Sequence, residues 1–246
     1  MNRQSLVRPF ALSSCLAVAF TASGCVTPGQ KAVSSNAADA VGGSCGPDGL
    51  IDNMEDNNNQ TMVVDGRGGY WYTYVDELGS TVEPTAGSQG GVFTQSEGGA
   101  NNSKFAARVH GILGSGAVIF GAAGMNFTDP KDAYDASKFG GISFWAKKGA
   151  GTLANVRVKV PDANTDSEGG VCKECFNDFG ADVVLTDSWK QYVLPFSKMK
   201  QMEGWGSPRP RKIDKSQIYG FQIQAQAPGA TYDIWIDDVE FVGCEE

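Results

Sequence analysis

Apolar and polar residues alternate with a period of two in run after run of this chain, a pattern that suits stacked antiparallel sheets and few other folds. In Val156-Arg-Val-Lys-Val160 three valines share one face, leaving Arg157 and Lys159 on the other. Phe221-Gln-Ile-Gln-Ala-Gln-Ala227 repeats the device with a row of glutamines, Gln222, Gln224 and Gln226. Residues 117–120, 141–147, 182–185, 191–196 and 232–242 are further strand candidates, most of them bounded by Gly, Asp, Asn or Pro. Helical periodicity is nearly absent, and only residues 133–139 and 197–202 are expected to make a helical turn or two. With 32 glycines and short runs at close spacing, the pattern predicts an all-β chain, an antiparallel β-sandwich of jelly-roll type.

The first 25 residues carry Arg3 and Arg8, no acid, and an apolar run over residues 10–22 that is too short to span a bilayer. They are read as a signal peptide. Ala22-Ser-Gly-Cys25 resembles a bacterial lipobox, with Ala where Leu is usual. That resemblance implies lipidation at Cys25 and, with Val rather than Asp at position 26, outer-membrane retention on the periplasmic or cell-surface side. Cleavage after a small residue without lipid is the other reading. Residues 26–44, rich in Ser, Ala, Asn and Gly, are read as a flexible tether, and residues 45–246 as one domain. Removing the signal takes away two of the 20 basic residues and none of the 28 acidic ones. Such an acidic chain is a poor partner for nucleic acid.

Cys45, Cys172, Cys175 and Cys244 remain, an even number in an oxidising compartment, and four cysteines allow three pairings. Cys45–Cys244 with Cys172–Cys175 is favoured, because the Cys-Lys-Glu-Cys spacing makes local pairing easy. A redox role would want the motif at a helix start. A zinc site would want a second pair or histidines, and His110 is the only histidine.

No catalytic residue is assigned. His110 lies within an alternating run with no nucleophile elbow nearby. Asp237 and Asp238 are consecutive in a strand and cannot flank one glycosidic bond. A hydrolase built from other scattered acids predicts product release from a polysaccharide.

Metal binding is the better use of the acids. Asp52 or Glu55 near the start and Asp237 or Asp238 near the end, with carbonyls from residues 98–104, would make a calcium shell if the chain ends lie side by side. Solvated turn residues are the alternative. Aromatic residues carry a second signal. In the stretch from Tyr70 to Val75, alternation sends Tyr70, Tyr72 and Tyr74 to one face and Trp71 to the other. Trp145 and Trp235 sit in apolar runs and are expected in the core. Trp205, flanked by Gly204, Gly206 and Pro208, is expected on a loop as a stacking platform.

The succession Ile51-Asp-Asn-Met-Glu-Asp56, Gly66-Arg-Gly-Gly-Tyr-Trp-Tyr72, Gly141-Ile-Ser-Phe-Trp-Ala-Lys147, Trp189-Lys-Gln-Tyr-Val-Leu-Pro-Phe196 and Ile234-Trp-Ile-Asp-Asp-Val239 resembles the galactose-binding-like jelly-roll superfamily of carbohydrate-binding modules. It is similar above all to bacterial surface lipoproteins built on that domain. The resemblance spans residues 48–242; the Cys172/Cys175 loop departs from it. It implies a structural calcium held by Glu55 and Asp238, and glycan binding on a concave sheet face or at loop tips. The expected function is non-catalytic binding of a polysaccharide or glycan. Trp71, Tyr72, Tyr74 and Trp205 would stack on sugar faces, with Arg157, Gln222 and Gln224 as hydroxyl partners. The alternative on the same fold is a cell-envelope structural or protein-interaction lipoprotein.

Overall fold

A computed structural model describes residues 41–87 and 95–244. The signal peptide over residues 1–25, Cys25 and the tether as far as residue 40 lie outside the described residues. The chain forms strands β1 (Leu50–Asp52), β2 (Trp71–Val75), β3 (Ser96–Glu97), β4 (Phe105–Ile112), β5 (Gly121–Asn126), β6 (Gly141–Lys148), β7 (Asn155–Val160), β8 (Phe179–Val184), β9 (Lys190–Pro195), β10 (Gly220–Ala225) and β11 (Thr231–Val242). Five of them make one sheet in the order β2-β5-β10-β7-β8. The other sheet runs β3-β4-β11-β6-β9, with β1 added alongside β11. All pairings are antiparallel.

Alternation along each strand makes the core. Phe221, Ile223, Val156 and Val158 point inward from one sheet, against Ile142, Phe144, Ile234 and Ile236 from the other, all buried. Phe144 and Phe221 meet across the layers with ring centroids 5.3 Å apart, edge to face. The sequence also predicts a strand at residues 117–120, but the strand begins at Gly121. Residues 121–126 read Gly-Ala-Ala-Gly-Met-Asn, without the β-branched residues that mark strands in sequence. Packing explains the glycines: a Cβ on Gly121 would come within 2.1 Å of Tyr232 Oη. No helix forms over residues 133–139, where Tyr134 instead bridges Ile218. A 3-10 turn at Phe196–Lys198 is what remains of the second expected helical turn.

Trp145 and Trp235 are not core residues. Alternation that buries Phe144 and Ile236 sends both tryptophans to the outer face of the six-stranded sheet, where each is half-buried. There Arg108 and Lys147 lie over the Trp235 ring at 4.7 and 4.6 Å.

The two ends of the domain meet. Leu50 pairs with Glu240 and Asp52 with Val239, and the Cys45–Cys244 disulfide clamps them with 5.7 Å between Cα atoms. Closing so long a loop removes about 5 kcal/mol of chain entropy from the unfolded state on the chain-entropy model. The last residues assigned to the tether belong to this edge: Ser44 bridges Val242, and the Gly243 amide donates to Gly43 O at 3.0 Å. The boundary therefore lies earlier than residue 45, because backbone groups of β11 find their partners there.

Candidate functional site

The outer face of the five-stranded sheet holds a groove of about 820 Å³. Its floor follows from register. Tyr72 and Gln222 both pair with Gly124, Tyr74 and Gln224 both with Ala122, Gln222 with Lys159 and Gln224 with Arg157. Large side chains on β2 and β10 thus flank β5, a strand that has almost none. A Cβ on Gly124 would lie 2.9 Å from the Tyr72 ring and 3.0 Å from Gln222 Cγ, so glycine is what lets those side chains lie across β5.

A hydrogen-bond chain crosses this floor. Gln222 Nε2 donates to Tyr72 Oη at 3.2 Å, while Tyr74 Oη donates to Gln222 Oε1 at 2.9 Å and lies 3.4 Å from Gln224 Oε1. Lys159 Nζ reaches Gln224 Oε1 at 3.5 Å and pairs with Asp178 Oδ2 at 2.8 Å. Arg157 is held by Asp182 Oδ1 at 3.0 Å and by the Lys200 carbonyl. Burial holds both tyrosine hydroxyls above the ordinary phenol range, so they stay neutral donors. Side chains fixed in this way need little reordering when a polar ligand arrives.

The structure brings six predicted ligand residues together around this groove: Tyr72, Tyr74, Arg157, Gln222, Gln224 and Trp205. It does not bring Trp71. That ring is fully buried between the sheets, and its Nε1 donates to Asp52 Oδ2 at 2.8 Å. Trp71 is a core residue because its neighbours Tyr72 and Tyr74 take the outer face, and adjacent strand residues cannot share one.

Sequence reasoning missed the groove's rims. Val118, Phe120, Phe176 and Met202 line the cavity together with Trp205. Phe176, Met202 and Trp205 are 59, 40 and 42% exposed, a concentration of apolar surface beside a polar floor. Phe176 directly follows the second cysteine of the Cys172/Cys175 loop, a position whose only sequence signal is an aromatic beside a disulfide. Cys172 and Cys175 are joined, with Cα atoms 5.1 Å apart.

The predicted metal residues divide. Asp237, fully buried, accepts from the Ala100 amide at 2.7 Å and the Asp238 amide at 2.8 Å. Glu55 Oε1 accepts from the amides of Lys104 and Phe105 at 2.7 and 3.0 Å. Both therefore face the loop over residues 98–104. Asp238, at a bulge in β11 with φ of 45°, interacts with Asn101 of that loop. Burial raises Asp237 to about 7, and the charges of Asp238 and Glu55 push in the same direction. Among the described residues no ion pair reaches these three carboxylates, and no three acidic, histidine or cysteine side chains converge on one metal position. Backbone carbonyls would have to complete any shell. Asp52 stands apart: its oxygens are taken by the Trp71 indole and, at 2.9 Å, the Met54 amide. Its pKa is pushed up to about 7 by burial, against the pull of those bonds.

His110 is engaged through its backbone, exchanging hydrogen bonds with Glu83 at 2.9 and 2.7 Å. It lies on the six-stranded sheet, in register with Asp233, and does not line the groove.

No protein-family model matches the sequence, and no curated protein matches it. Solved structures do match in fold. The family 11 carbohydrate-binding module from Clostridium thermocellum in complex with a β-1,3-1,4-mixed-linked tetrasaccharide superposes with a TM-score of 0.55 at 17% identity, over 80% of this chain and 96% of that one. A solution structure of the Clostridium thermocellum module gives 0.54 at 17% identity, covering 82% and 99%. The chain therefore has the jelly-roll β-sandwich fold of carbohydrate-binding modules.

Proposed function

We propose that this domain binds a polysaccharide or glycan, without cleaving it, in the groove on the five-stranded sheet. The observation that carries the reading is the pairing of a pre-ordered polar floor with apolar rims in one cavity. Sugars present hydroxyls at their edges and C–H bonds on their faces, and both chemistries find partners here. The groove volume falls within the range of about 300–1,000 Å³ common for small-ligand sites. The similar module is named as a complex with a mixed-linkage tetrasaccharide, which supports a chain segment as the ligand. Each stacking contact contributes about 0.5–1.5 kcal/mol, so single-site binding is weak and gains from multivalent surfaces.

The test is a screen of the purified domain against soluble gluco-, xylo-, manno- and chito-oligosaccharides and insoluble polysaccharides, by calorimetry and pull-down. Binding to one class without release of reducing ends is expected. Failure on every glycan returns the domain to the protein-interaction reading; product release makes it an enzyme.

Glu55, Asp237 and Asp238, with carbonyls of the loop over residues 98–104, are the groups that would hold a structural calcium ion, which would neutralise their mutual repulsion. Equal melting temperatures in millimolar calcium and in chelator would remove this part of the reading. Lipidation of Cys25 and outer-membrane anchoring rest on the sequence around Ala22-Ser-Gly-Cys25. Release of a Cys25→Ser variant from the membrane fraction tests them.

A further inference from the structure

The segment carrying Cys172 and Cys175 has no counterpart in the expected pattern, yet it builds part of the groove. It is locked to the loop over residues 201–208. Asn177, buried, donates from Nδ2 to the carbonyls of Met202 and Trp205 at 2.9 and 2.6 Å, and its Oδ1 accepts from the Met202 amide at 2.8 Å. The Lys173 amide donates to Ser207 O at 2.7 Å, and the Gly206 amide to Glu174 Oε2 at 3.1 Å. The two loops can close this far because Gly206, at φ of 89°, has no Cβ; one would sit 2.8 Å from Asn177. The result is a single ordered unit with an apolar surface turned toward the cavity.

Two features of that unit are not accounted for by its own packing. Phe176 occupies the left-handed region at φ of 73°, a conformation that disfavours any residue with a Cβ. Its ring nevertheless lies largely in solvent, so packing does not repay the strain. The backbone is held there by the Phe176 amide donating to Thr165 O at 2.8 Å and by the adjoining disulfide. Two residues on, Asp178 lines the cavity at 2% exposure. Its Oδ2 meets Lys159, but Oδ1 is buried without a hydrogen-bond partner. A buried acceptor of this kind is costly unless a ligand or an ordered water satisfies it.

We propose that the disulfide-clipped segment is a ligand-reading corner of the groove, in which Phe176 stacks on a sugar face beside Trp205 and Asp178 Oδ1 accepts a hydroxyl of the bound saccharide. This rests on the carbohydrate reading and deepens it: the ligand must offer an apolar ring face and a hydroxyl to one wall while its other hydroxyls meet the glutamine floor. The Cys172–Cys175 bridge acts through Phe176 as a positioning element.

The experiment measures Kd for the full chain with a mixed-linkage β-1,3-1,4-glucan tetrasaccharide and with cello-, xylo-, manno- and chito-oligosaccharides, alongside thermal melting. Phe176→Gly relieves the backbone strain, so a melting temperature held or raised together with affinity weakened about three- to tenfold is expected; Phe176→Trp should keep affinity. Asp178→Asn can keep an oxygen on Lys159 while turning a donor to the ligand, and should weaken binding with melting little changed. The double variant Cys172→Ser/Cys175→Ser should weaken binding in the parent but not in the Phe176→Gly background, as coupling through one residue requires. If the parent binds and Tyr72→Ala weakens it while Phe176→Gly and Asp178→Asn stay within about twofold, the groove reading stands and the corner is overturned. If the parent binds none of the oligosaccharides, both fall.

Discussion

The outer faces of the two sheets carry similar residues and pack them differently. The six-stranded sheet displays Trp145, Trp189 and Trp235 with Arg108 and Lys147; the five-stranded sheet displays Tyr72 and Tyr74 with Arg157 and Lys159. On the first, the cations lie on the rings: Lys147 sits 4.7 Å from the Trp189 ring and 4.6 Å from that of Trp235. Arg108 is itself fixed by Asp233 at 2.8 Å. The aromatic faces are occupied by their own neighbours. On the second, the cations are pulled aside by Asp182 and Asp178, while Ala122 and Gly124 leave a trough between the ridges. Aromatic content alone does not open a groove; small residues between the ridges and cations drawn off the rings do.

That contrast can be broken experimentally. Trp71→Phe removes the indole N–H from Asp52 in the core and is expected to cost about 2 kcal/mol of stability in chemical denaturation, with ligand affinity unchanged in the folded protein. A clear loss of affinity would return Trp71 to the site. Gly124→Val puts a branched side chain where a single Cβ already meets Tyr72 and Gln222. Affinity should fall at least about tenfold, equivalent to about 1.4 kcal/mol, and titration calorimetry reads it directly. Trp205→Ala should weaken binding about three- to tenfold, whereas Trp235→Ala on the opposite sheet should leave it untouched. Equal losses would erase the distinction between the faces.

The smallest expected effect concerns pH. Asp52 is raised to about 7 by burial, so the folded state binds a proton that the unfolded state releases near 3.8. Its contribution to stability is therefore fully present at low pH and declines as pH rises toward and through 7. Between pH 6 and 7.5 this should lower stability by about 1 kcal/mol. In chelator, Asp52→Asn should flatten the slope of melting temperature against pH over that window. An unchanged slope would assign the dependence to other groups, Asp237 and Asp238 first.

Much of the fold could be read from the residues. Val156 to Val160 and the Gln222, Gln224 and Gln226 row lie where alternation puts them, and β11 is the long closing strand that its apolar residues require. The same rule, applied to Phe144-Trp145 and Ile234-Trp235-Ile236, would have sent both tryptophans outward; the apolar character of those runs masked their alternation. β5 was illegible for another reason. Its Gly-Ala-Ala-Gly residues have no intrinsic preference for a strand and become one only between β2 and β10. The polar groove residues were legible as outward-facing. Phe176 and Asp178 were not, since a loop residue's neighbours are set by the chain segment folded against it.

Sequence by itself determined the layers, since period-two patterning decides which side chains can be buried together wherever the strands pair. It also supplied the cysteines for both bridges. Only tertiary structure decided that Trp71 is sealed, that small residues of β5 open a trough, and that two distant loops interlock to wall it. Those outcomes depend on which strands become neighbours and how close their backbones approach, quantities that arise from long-range packing and have no local signature in the chain.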